Sequence, residues 1–288
     1  MKQRDIDELS GIETTGHEWD GIKELNNPLP RWWLWTFYAC IAFAAVYTVL
    51  YPAWPIVSGG TKGVLGYTAR EQLQQEVSAA QAGQAEMLAK IAAMPVAAIA
   101  ADPALAAFAS AGGASAFKVY CSQCHGSGAA GGFGYPNLND DEWIWGGTID
   151  DIHKTITHGA RSQLDADTHD NPMPNFGTDG ILNRDQIRSV ATYVAALSGL
   201  PGGEKTEAGA AIYAQNCAAC HGPEAKGNPQ LGAPNLTNAI WLYGGSVDGI
   251  IAQVNHPRLG MMPAWGAKLG DTTVKELAVY VHGLGGGQ

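Results

Sequence analysis

The sequence is poor in charge, in cysteine and in long apolar runs. Only 15% of its 288 residues are charged, and the net charge is −10. An acidic chain of this kind is a poor nucleic-acid binder and suits contact with basic protein partners. Four of the five cysteines lie in two short motifs and Cys40 lies in an apolar run, so no pair remains for a structural disulfide framework. With 46% hydrophobic residues, the chain can still bury the cores of two or three domains.

Charged side chains are absent between Trp32 and Thr61, the one long apolar run. The run supplies about twenty apolar residues, enough to cross a bilayer core. Aromatic residues crowd both of its ends, as they do at membrane interfaces. We therefore predict a transmembrane anchor over residues 31–57, preceded by a segment over 1–30. The alternatives are a buried soluble helix and a cleaved signal peptide, but a signal peptide has its short apolar stretch directly after a basic start.

Two copies of the motif CxxCH account for the other cysteines. On a helix, cysteines at i and i+3 share one face and the histidine at i+4 follows them. This pattern is the attachment signal for c-type haem, in which both sulfurs bind the porphyrin and the histidine binds iron. A zinc site would need a second ligand pair, and a redox dithiol does not require the histidine. The sequence therefore predicts two covalently bound haem c groups, held by Cys121, Cys124 and His125 and by Cys217, Cys220 and His221.

The two motifs belong to an internal repeat. Trp143 and Trp241 are separated by 98 residues, and phrases such as "WIWGG" and "WLYGG" recur in the same order. Each half ends in an apolar pattern typical of a helix. The fold class that follows is mainly α, with one N-terminal transmembrane helix and two tandem cytochrome c-type haem domains. The predicted segments after the anchor are a helical linker over 58–112 and haem domains over 113–200 and 201–288.

A methionine in each repeat is the candidate for the second axial ligand. Met173 and Met262 each precede a proline and lie 40 to 50 residues after a CxxCH motif. Chain order pairs Met173 with the first iron and Met262 with the second. A thioether ligand raises the reduction potential relative to a second histidine. Met261 is a weaker candidate than Met262 because it does not directly precede the proline. For any methionine, core packing is the alternative to ligation. The repeated histidines His158 and His256 are competing ligands and would give bis-histidine ligation instead.

Other repeated residues are candidates for contacts around the haems. The carbonyls of Pro136 and Pro234 follow the motifs at a distance that suits accepting the Nδ1 proton of the proximal histidine, which would fix its tautomer. Four side chains are candidate donors to the haem propionates, with ordinary packing or solvated charge as the alternative. They are Trp145, Tyr243, Arg161 and Arg258.

No free base, nucleophile or open metal position is predicted, and so no catalytic residue. An iron with two protein ligands suits electron transfer better than bond chemistry. A dihaem peroxidase is one alternative, but it needs an iron with an open site. A cytochrome subunit of a membrane dehydrogenase is another, but it usually carries three CxxCH motifs and a C-terminal anchor. The chain is therefore interpreted as an electron relay.

Three segments carry a family likeness that covers nearly the whole chain: "GHEWDGIKELNNPLPRWW", "CSQCHGSGAAGGFGYPNLNDDEWIWGG" and "CAACHGPEAKGNPQLGAPNLTNAIWLYGG". They resemble the dihaem CcoP/FixP subunit, subunit III, of the cbb3-type haem-copper cytochrome c oxidases. The resemblance implies that the chain takes electrons from a soluble or membrane-bound cytochrome c and passes them to a monohaem cytochrome c subunit. That subunit feeds the catalytic haem-copper subunit, where oxygen is reduced and protons are pumped.

The resemblance also implies an orientation, because covalent haem attachment occurs outside the bacterial cytoplasm. Residues 1–30 are then cytoplasmic, and the haem domains lie on the periplasmic side of the inner membrane. Residues 113–200 carry ten acidic and five basic side chains, whereas 205–288 carry five of each. An acidic surface could steer a basic cytochrome c, with an ordinary solvated face as the alternative.

Overall fold

The computed structural model describes residues 5–286, which form two compact units divided after Gly83. The first unit opens with an antiparallel hairpin of β1 (Thr14–Trp19) and β2 (Ile22–Leu25). The two turn residues, Asp20 and Gly21, both have positive φ angles. This is the conformation of a type I′ turn, which the dipeptide Asp-Gly favours.

Helix α1 (Arg31–Leu50) is the apolar helix that the sequence predicts. None of its side chains is buried, and within residues 5–286 it is the one helix long and apolar enough to cross a membrane. Its 20 residues span about 30 Å, the thickness of a bilayer core. The helix ends at Leu50 rather than at residue 57, because Pro52 biases Tyr51 toward the extended conformation that it adopts, with φ −115° and ψ 162°.

A short hairpin and a long helix complete the first unit. The hairpin pairs β3 (Pro55–Ile56) with β4 (Gly59–Gly60). Helix α2 (Ala69–Ala93) follows and contains the boundary between the units.

The second unit is helical, and loops connect its helices. Asp102 begins the longest helix after α2: its side chain accepts from the backbone N–H groups of Ala104 and Leu105 at 2.9 and 3.1 Å, and Pro103 takes the first helical position. The mainly α prediction is confirmed. The helices are α3 (Val96–Ala101), α4 (Pro103–Tyr120), α5 (Ser122–His125), α6 (Ile149–His158), α7 (Arg184–Leu197), α8 (Glu207–Asn216), α9 (Ala218–His221), α10 (Val247–Asn255), α11 (Gly266–Leu269) and α12 (Asp271–His282), with a 3₁₀ turn at Pro229–Leu231.

The first core of this unit combines helices that are far apart in the chain. Helix α12 packs on α4 and α6, and α3 packs on α4. The last residues of α2 also contribute, since Ile91 is fully buried there. The segment predicted as a linker over 58–112 therefore supplies part of a core from Met87 onward. The most buried side chains of the first core are Ile91, Ile99, Phe117, Val274 and Leu277.

The second core is contiguous in the chain. Helix α7 packs on α8 and α10, and the buried residues run from Phe176 to Val254. Helix α7 belongs to the first repeat but packs beside the second CxxCH motif, while α12 of the second repeat packs beside the first motif. The boundary predicted at residues 200 and 201 therefore differs from the division between the cores.

The short connection over residues 198–206 explains this helix exchange, in which α7 and α12 each pack beside the CxxCH motif of the other repeat. Elements joined by a short connection usually pack as neighbours, so α7 packs on α8, the next helix along the chain. The apolar patterns "IRSVATYVAAL" of α7 and "VKELAVYVHGL" of α12 are similar. Helix α12 can therefore occupy on α4 the place that α7 occupies on α8.

The same helix crossing is thus built twice, each time on a glycine. A Cβ atom at Gly113 of α4 would lie 2.7 Å from Cβ of Tyr280, and one at Gly209 of α8 would lie 2.7 Å from Cβ of Tyr193. Neither crossing leaves room for a side chain. An aromatic pair completes each crossing, Phe117 with Tyr280 at 5.4 Å and Tyr213 with Tyr193 at 5.8 Å between ring centroids.

The loops of the two repeats contact each other reciprocally. The Trp145 ring fills the space that a side chain at Gly232 would need, and the Tyr243 ring lies 3.3 Å from the equivalent point at Gly134. The N–H group of Gly134 also donates to the carbonyl of Leu242 at 2.8 Å. Because Trp145 and Tyr243, like Gly134 and Gly232, are 98 residues apart, the same contact is made in both directions.

Candidate functional site

The two CxxCH motifs have the same backbone geometry. Cys121 follows α4 and Cys217 follows α8, with φ and ψ of −110° and −33° in the first and −115° and −35° in the second. Each motif then makes one helical turn, α5 or α9, closed by a bond of 2.9 Å from the histidine N–H to the first cysteine carbonyl. Two sites this alike are suited to the same group.

The cysteine side chains are free thiols, and none of the five forms a disulfide. Burial raises the pKa of the first thiol in each motif, Cys121 and Cys217, to about 11. A metal ligand or a redox-active dithiol is a thiolate, and its pKa is normally lowered by its surroundings. Neither thiol has the lowered pKa that marks a redox-active dithiol.

The proximal histidines are oriented by proline carbonyls, as the sequence predicts. Nδ1 of His125 lies 3.0 Å from the carbonyl oxygen of Pro136, and Nδ1 of His221 lies 2.9 Å from that of Pro234. A carbonyl only accepts, so Nδ1 carries the proton and Nε2 keeps its lone pair for a metal. Burial lowers the pKa of both histidines, which favours the neutral ring that a metal needs.

Two glycines bring these carbonyls into position, and the sequence analysis missed them. Gly131 donates its N–H to the carbonyl of His125, and Gly227 donates to that of His221, both at 2.8 Å. Both glycines have positive φ, and a Cβ at Gly131 would lie 2.5 Å from the carbonyl oxygen of Tyr135. Aligning the loops of the two repeats would have revealed them, because both follow their CxxCH motif at the same offset.

The candidate methionines lie on the opposite motifs from those that chain order predicts. Met173 lines a cavity together with Cys217, Cys220 and His221 and packs on the second core. Met262 packs on the first core, where Cys121 also packs. The cause is the helix exchange, because each methionine precedes the helix that packs on the other repeat.

A pair of backbone bonds fixes the segment that carries Met262. The N–H group of Met262 donates to the carbonyl of Ala160 at 2.9 Å, and the N–H group of Ala160 donates to the carbonyl of Met262 at 3.0 Å. The neighbouring Met261 side chain is 61% exposed.

The competing histidines have other environments. Nδ1 of His158 lies 3.0 Å from a carboxylate oxygen of Asp165, and His256 is an exposed residue at the end of α10. Neither histidine lines the cavity that contains His221. The positions of both side chains therefore give no support to bis-histidine ligation at that site.

The cavity around His221 measures about 940 Å³ and extends between the two repeats. Three of the four candidate propionate donors line it, namely Arg161, Arg258 and Tyr243, whereas Trp145 does not. The Nε–H group of Arg161 donates to the carbonyl of Gly260 at 2.6 Å, and burial lowers the pKa of its guanidinium.

These donor sets fit haem c. Each motif offers two thiols for covalent attachment and one imidazole whose Nε2 is free, and a methionine thioether packs on each core. The cavity at the second motif combines an apolar wall with two arginines, which suits a planar group that carries carboxylates. The agreement with haem c rests on the types of side chain near each motif and on their grouping in the two cores.

Two family models match the chain. The N-terminal domain of cytochrome oxidase-cbb3, FixP, matches residues 11–58, and cytochrome C oxidase, cbb3-type, subunit III, matches residues 109–194 and again 204–281. The second model matches once for each CxxCH motif. The tandem repeat predicted from the 98-residue spacing is thereby confirmed.

Curated relatives are similar over their full length. The Cbb3-type cytochrome c oxidase subunit FixPc of Rhizobium leguminosarum bv. viciae is 55% identical, with 100% of both chains covered. Subunit FixP of Sinorhizobium medicae is 54% identical, with 100% of this chain and 99% of the relative covered. Subunit CcoP of Azospirillum sp. strain B510 is 53% identical, with 100% of both chains covered.

These matches confirm the resemblance and the relay role predicted from the sequence, and they favour neither the peroxidase nor the dehydrogenase alternative. The apolar helix α1 fits a membrane anchor in such a subunit. The chain therefore belongs to the FixP/CcoP family, the membrane-anchored cytochrome c subunits that transfer electrons in cbb3-type cytochrome c oxidases.

Proposed function

We propose that the chain binds two haem c groups whose axial ligands are crossed between the repeats. The first iron has His125 and Met262 as ligands, and the second has His221 and Met173. The porphyrins are attached covalently through Cys121 and Cys124 in the first motif and through Cys217 and Cys220 in the second.

The position of Met173 is the observation that carries this proposal. Met173 lines the cavity of the second motif and packs on the second core, although it precedes that motif in the chain. Met262 packs on the core of the first motif. A thioether is thus available to each imidazole only if the repeats exchange their methionines.

The crossed ligands suit electron transfer by closed sites. Haem supplies one-electron redox chemistry when it is bound. An imidazole and a thioether would hold each haem iron and would leave no position for a substrate, and the carbonyls of Pro136 and Pro234 hold the imidazole rings in place. The chain has no catalytic residue of its own and relays electrons within the oxidase complex.

We propose that a soluble or membrane-bound cytochrome c donates electrons to this chain, which passes them to the monohaem subunit. The catalytic haem-copper subunit then reduces oxygen and pumps protons. Four carboxylates line the cavity and support a basic donor: Asp140, Asp141, Glu142 and Asp151. The rate of reduction by a basic cytochrome c should therefore fall as ionic strength rises, and a rate independent of salt would contradict this docking.

We also propose that α1 is a single-pass anchor in the inner membrane, with residues 1–30 in the cytoplasm and the haem sites in the periplasm. Covalent haem attachment outside the cytoplasm supports this orientation. A chain that starts at residue 61 behind a cleavable export signal should be a soluble dihaem protein. Membrane retention of that fragment would contradict the single anchor.

Chains with one haem test the crossed pairing. Replacing Cys217 and Cys220 with serine leaves only the first motif able to attach haem. On this background, Met262→Ala should remove the far-red absorption of the sulfur–iron(III) bond, and Met173→Ala should leave it unchanged. The exposed neighbour Met261→Ala is the matched control. Loss of the band in Met173→Ala instead would restore pairing by chain order, and its absence before any methionine is changed would indicate bis-histidine ligation.

A further inference from the structure

One buried side-chain nitrogen lacks a hydrogen-bond partner among the residues that the structure describes, and it is Nε1 of Trp241. An indole nitrogen can only donate. A buried donor without an acceptor is destabilising, so folded proteins rarely retain one. The unpaired donor therefore indicates that the acceptor belongs to a group that the protein binds.

The surroundings of Trp241 indicate what that group carries. Trp241 lines the cavity that contains Cys217, Cys220 and His221, together with Arg161 and Arg258. No carboxylate lies within ion-pair distance of either arginine among the described residues. Lys226 and four carboxylates also line this cavity, so its charges are mixed. The unpaired indole N–H itself requires an acceptor, and the carboxylates of a haem bound at His221 are acceptors that the cations of the cavity can balance.

The equivalent tryptophan of the first repeat has a different partner. Trp143 and Trp241 are held in the same way: a Cβ at Gly147 would lie 2.6 Å from Cδ1 of Trp143, and one at Gly245 would lie 2.8 Å from Cδ1 of Trp241. Nε1 of Trp143 nevertheless donates to the carbonyl of Gly286. The two rings are fixed alike, but only one donor is satisfied by the chain.

The helix exchange explains this difference. Gly286 follows α12, beyond which the chain makes no further helix within the described residues. After α7 the chain must instead turn into α8, and the carbonyl of Leu200 accepts from the N–H group of Gly203 at 3.2 Å. The segment after α7 thus turns toward α8, and no carbonyl of that segment accepts from Nε1 of Trp241 within the described residues.

We propose that Trp241 donates its indole N–H to a propionate of the haem bound at His221, whereas Trp143 donates to the chain itself. This inference rests on the proposed haem at the second motif. A donor bonded to the propionate offsets part of its negative charge, and that charge favours the oxidised iron. Trp241 therefore raises the reduction potential of the second haem relative to the first, although both have the same axial ligands.

Redox titration of the full chain in its complex tests this inference. Trp241→Phe keeps an apolar ring and removes the donor, and it should lower the ratio of reduced to oxidised second haem at a fixed potential by about fivefold. This equals about 40 mV for a one-electron couple. Trp143→Phe is the matched control and should leave the potential of the first haem unchanged. An unchanged second haem in Trp241→Phe, or an equal shift of the first haem in Trp143→Phe, would overturn the inference.

Haem content is measured before each titration, so that a failure of the proposed function can be distinguished from a failure of the role assigned to Trp241. A second motif without covalent haem in the unaltered chain would contradict the proposed function, whereas a bound haem with an unshifted potential would contradict only the role of Trp241. Should Trp241→Phe fail to fold, an experimental density map of the unaltered complex replaces it. A propionate oxygen within 3.5 Å of Nε1 supports the bond, and a water or protein acceptor in that place would overturn it.

Discussion

The first CxxCH motif is packed by helices from both ends of the second unit, whereas the second motif is packed by helices that are neighbours in the chain. The first core joins α4 to α12, and the second joins α7 to α8 and α10. Contacts between distant segments carry a larger loop-closure cost and form later in folding. The two CxxCH motifs are alike in local geometry, but we expect the second to form first and to be independent of the C-terminal helix.

Removing α12 should produce the largest difference between the two sites. A chain that ends at Gly270 lacks Val274 and Leu277, which are fully buried in the first core. We expect the first motif to become sensitive to protease while the second core stays protected, as limited proteolysis with haem detection would measure. The full-length chain, which keeps both α12 and Gly286, is the control. Loss of the second site alone would mean that the repeats fold as sequential domains.

Adding one methyl group at a helix crossing should destabilise only the core that contains it, and by less than the removal of α12. Gly113→Ala places Cβ against α12, and Gly209→Ala places it against α7, and overpacking of this kind typically costs about 1–3 kcal/mol. We expect each substitution to lower the denaturation midpoint of its own haem site. Gly83→Ala is the matched control, since Gly83 is helical with open space around it and should be neutral or slightly stabilising. Equal effects of Gly113→Ala on both sites would contradict two separate cores.

A single hydroxyl group distinguishes the aromatic residues at the two crossings. The Tyr213 hydroxyl donates to the carbonyl of Gly222 at 2.7 Å, while the equivalent Phe117 has no such group. Tyr213→Phe should lower the free energy of unfolding of the second core by about 1 kcal/mol. Denaturant titration followed at each haem would measure this, and an unchanged midpoint would show that the bond contributes nothing.

The same hydroxyl predicts a smaller dependence on pH. Burial raises the pKa of Tyr213 to about 12, above the value of about 10 expected in an unfolded chain. The folded state therefore holds this proton more tightly, and its stabilising effect is complete below pH 10 and lost as pH rises toward 12. Tyr213→Phe should lose less stability across this range than the unaltered chain, and an identical pH profile would contradict the assignment.

Much of the fold follows from local sequence patterns. The apolar run predicts α1, and Asp102 with Pro103 predicts the start of α4, because capping and membrane length depend on a few adjacent residues. The end of α1 was placed too late, since the effect of Pro52 on Tyr51 outweighs the apolar character of the residues that follow. An alanine-rich helix does not reveal which of its residues are buried, so only the structure shows that the predicted linker contributes to the first core from Met87 onward.

Much of the candidate site was also predictable. The CxxCH motifs could be found from their own short spacing. The carbonyls of Pro136 and Pro234 could be found because each proline follows its motif closely, 11 residues after His125 and 13 residues after His221. The donors that line the cavity were predicted in part, since Arg161, Arg258 and Tyr243 line it and Trp145 does not. The unpaired donor at Trp241 could not be found, because its partner depends on where the chain runs after α7 and α12.

The sequence by itself determined the kinds of residue at each CxxCH motif and their local geometry, because CxxCH acts within one helical turn and recurs after 96 residues as part of the internal repeat. The tertiary structure alone decided which methionine lies near which histidine. Helices α7 and α12 present similar apolar patterns, so either could pack on either motif. The short connection between α7 and α8 selects one arrangement, and Met173 and Met262 follow their helices to the opposite repeat.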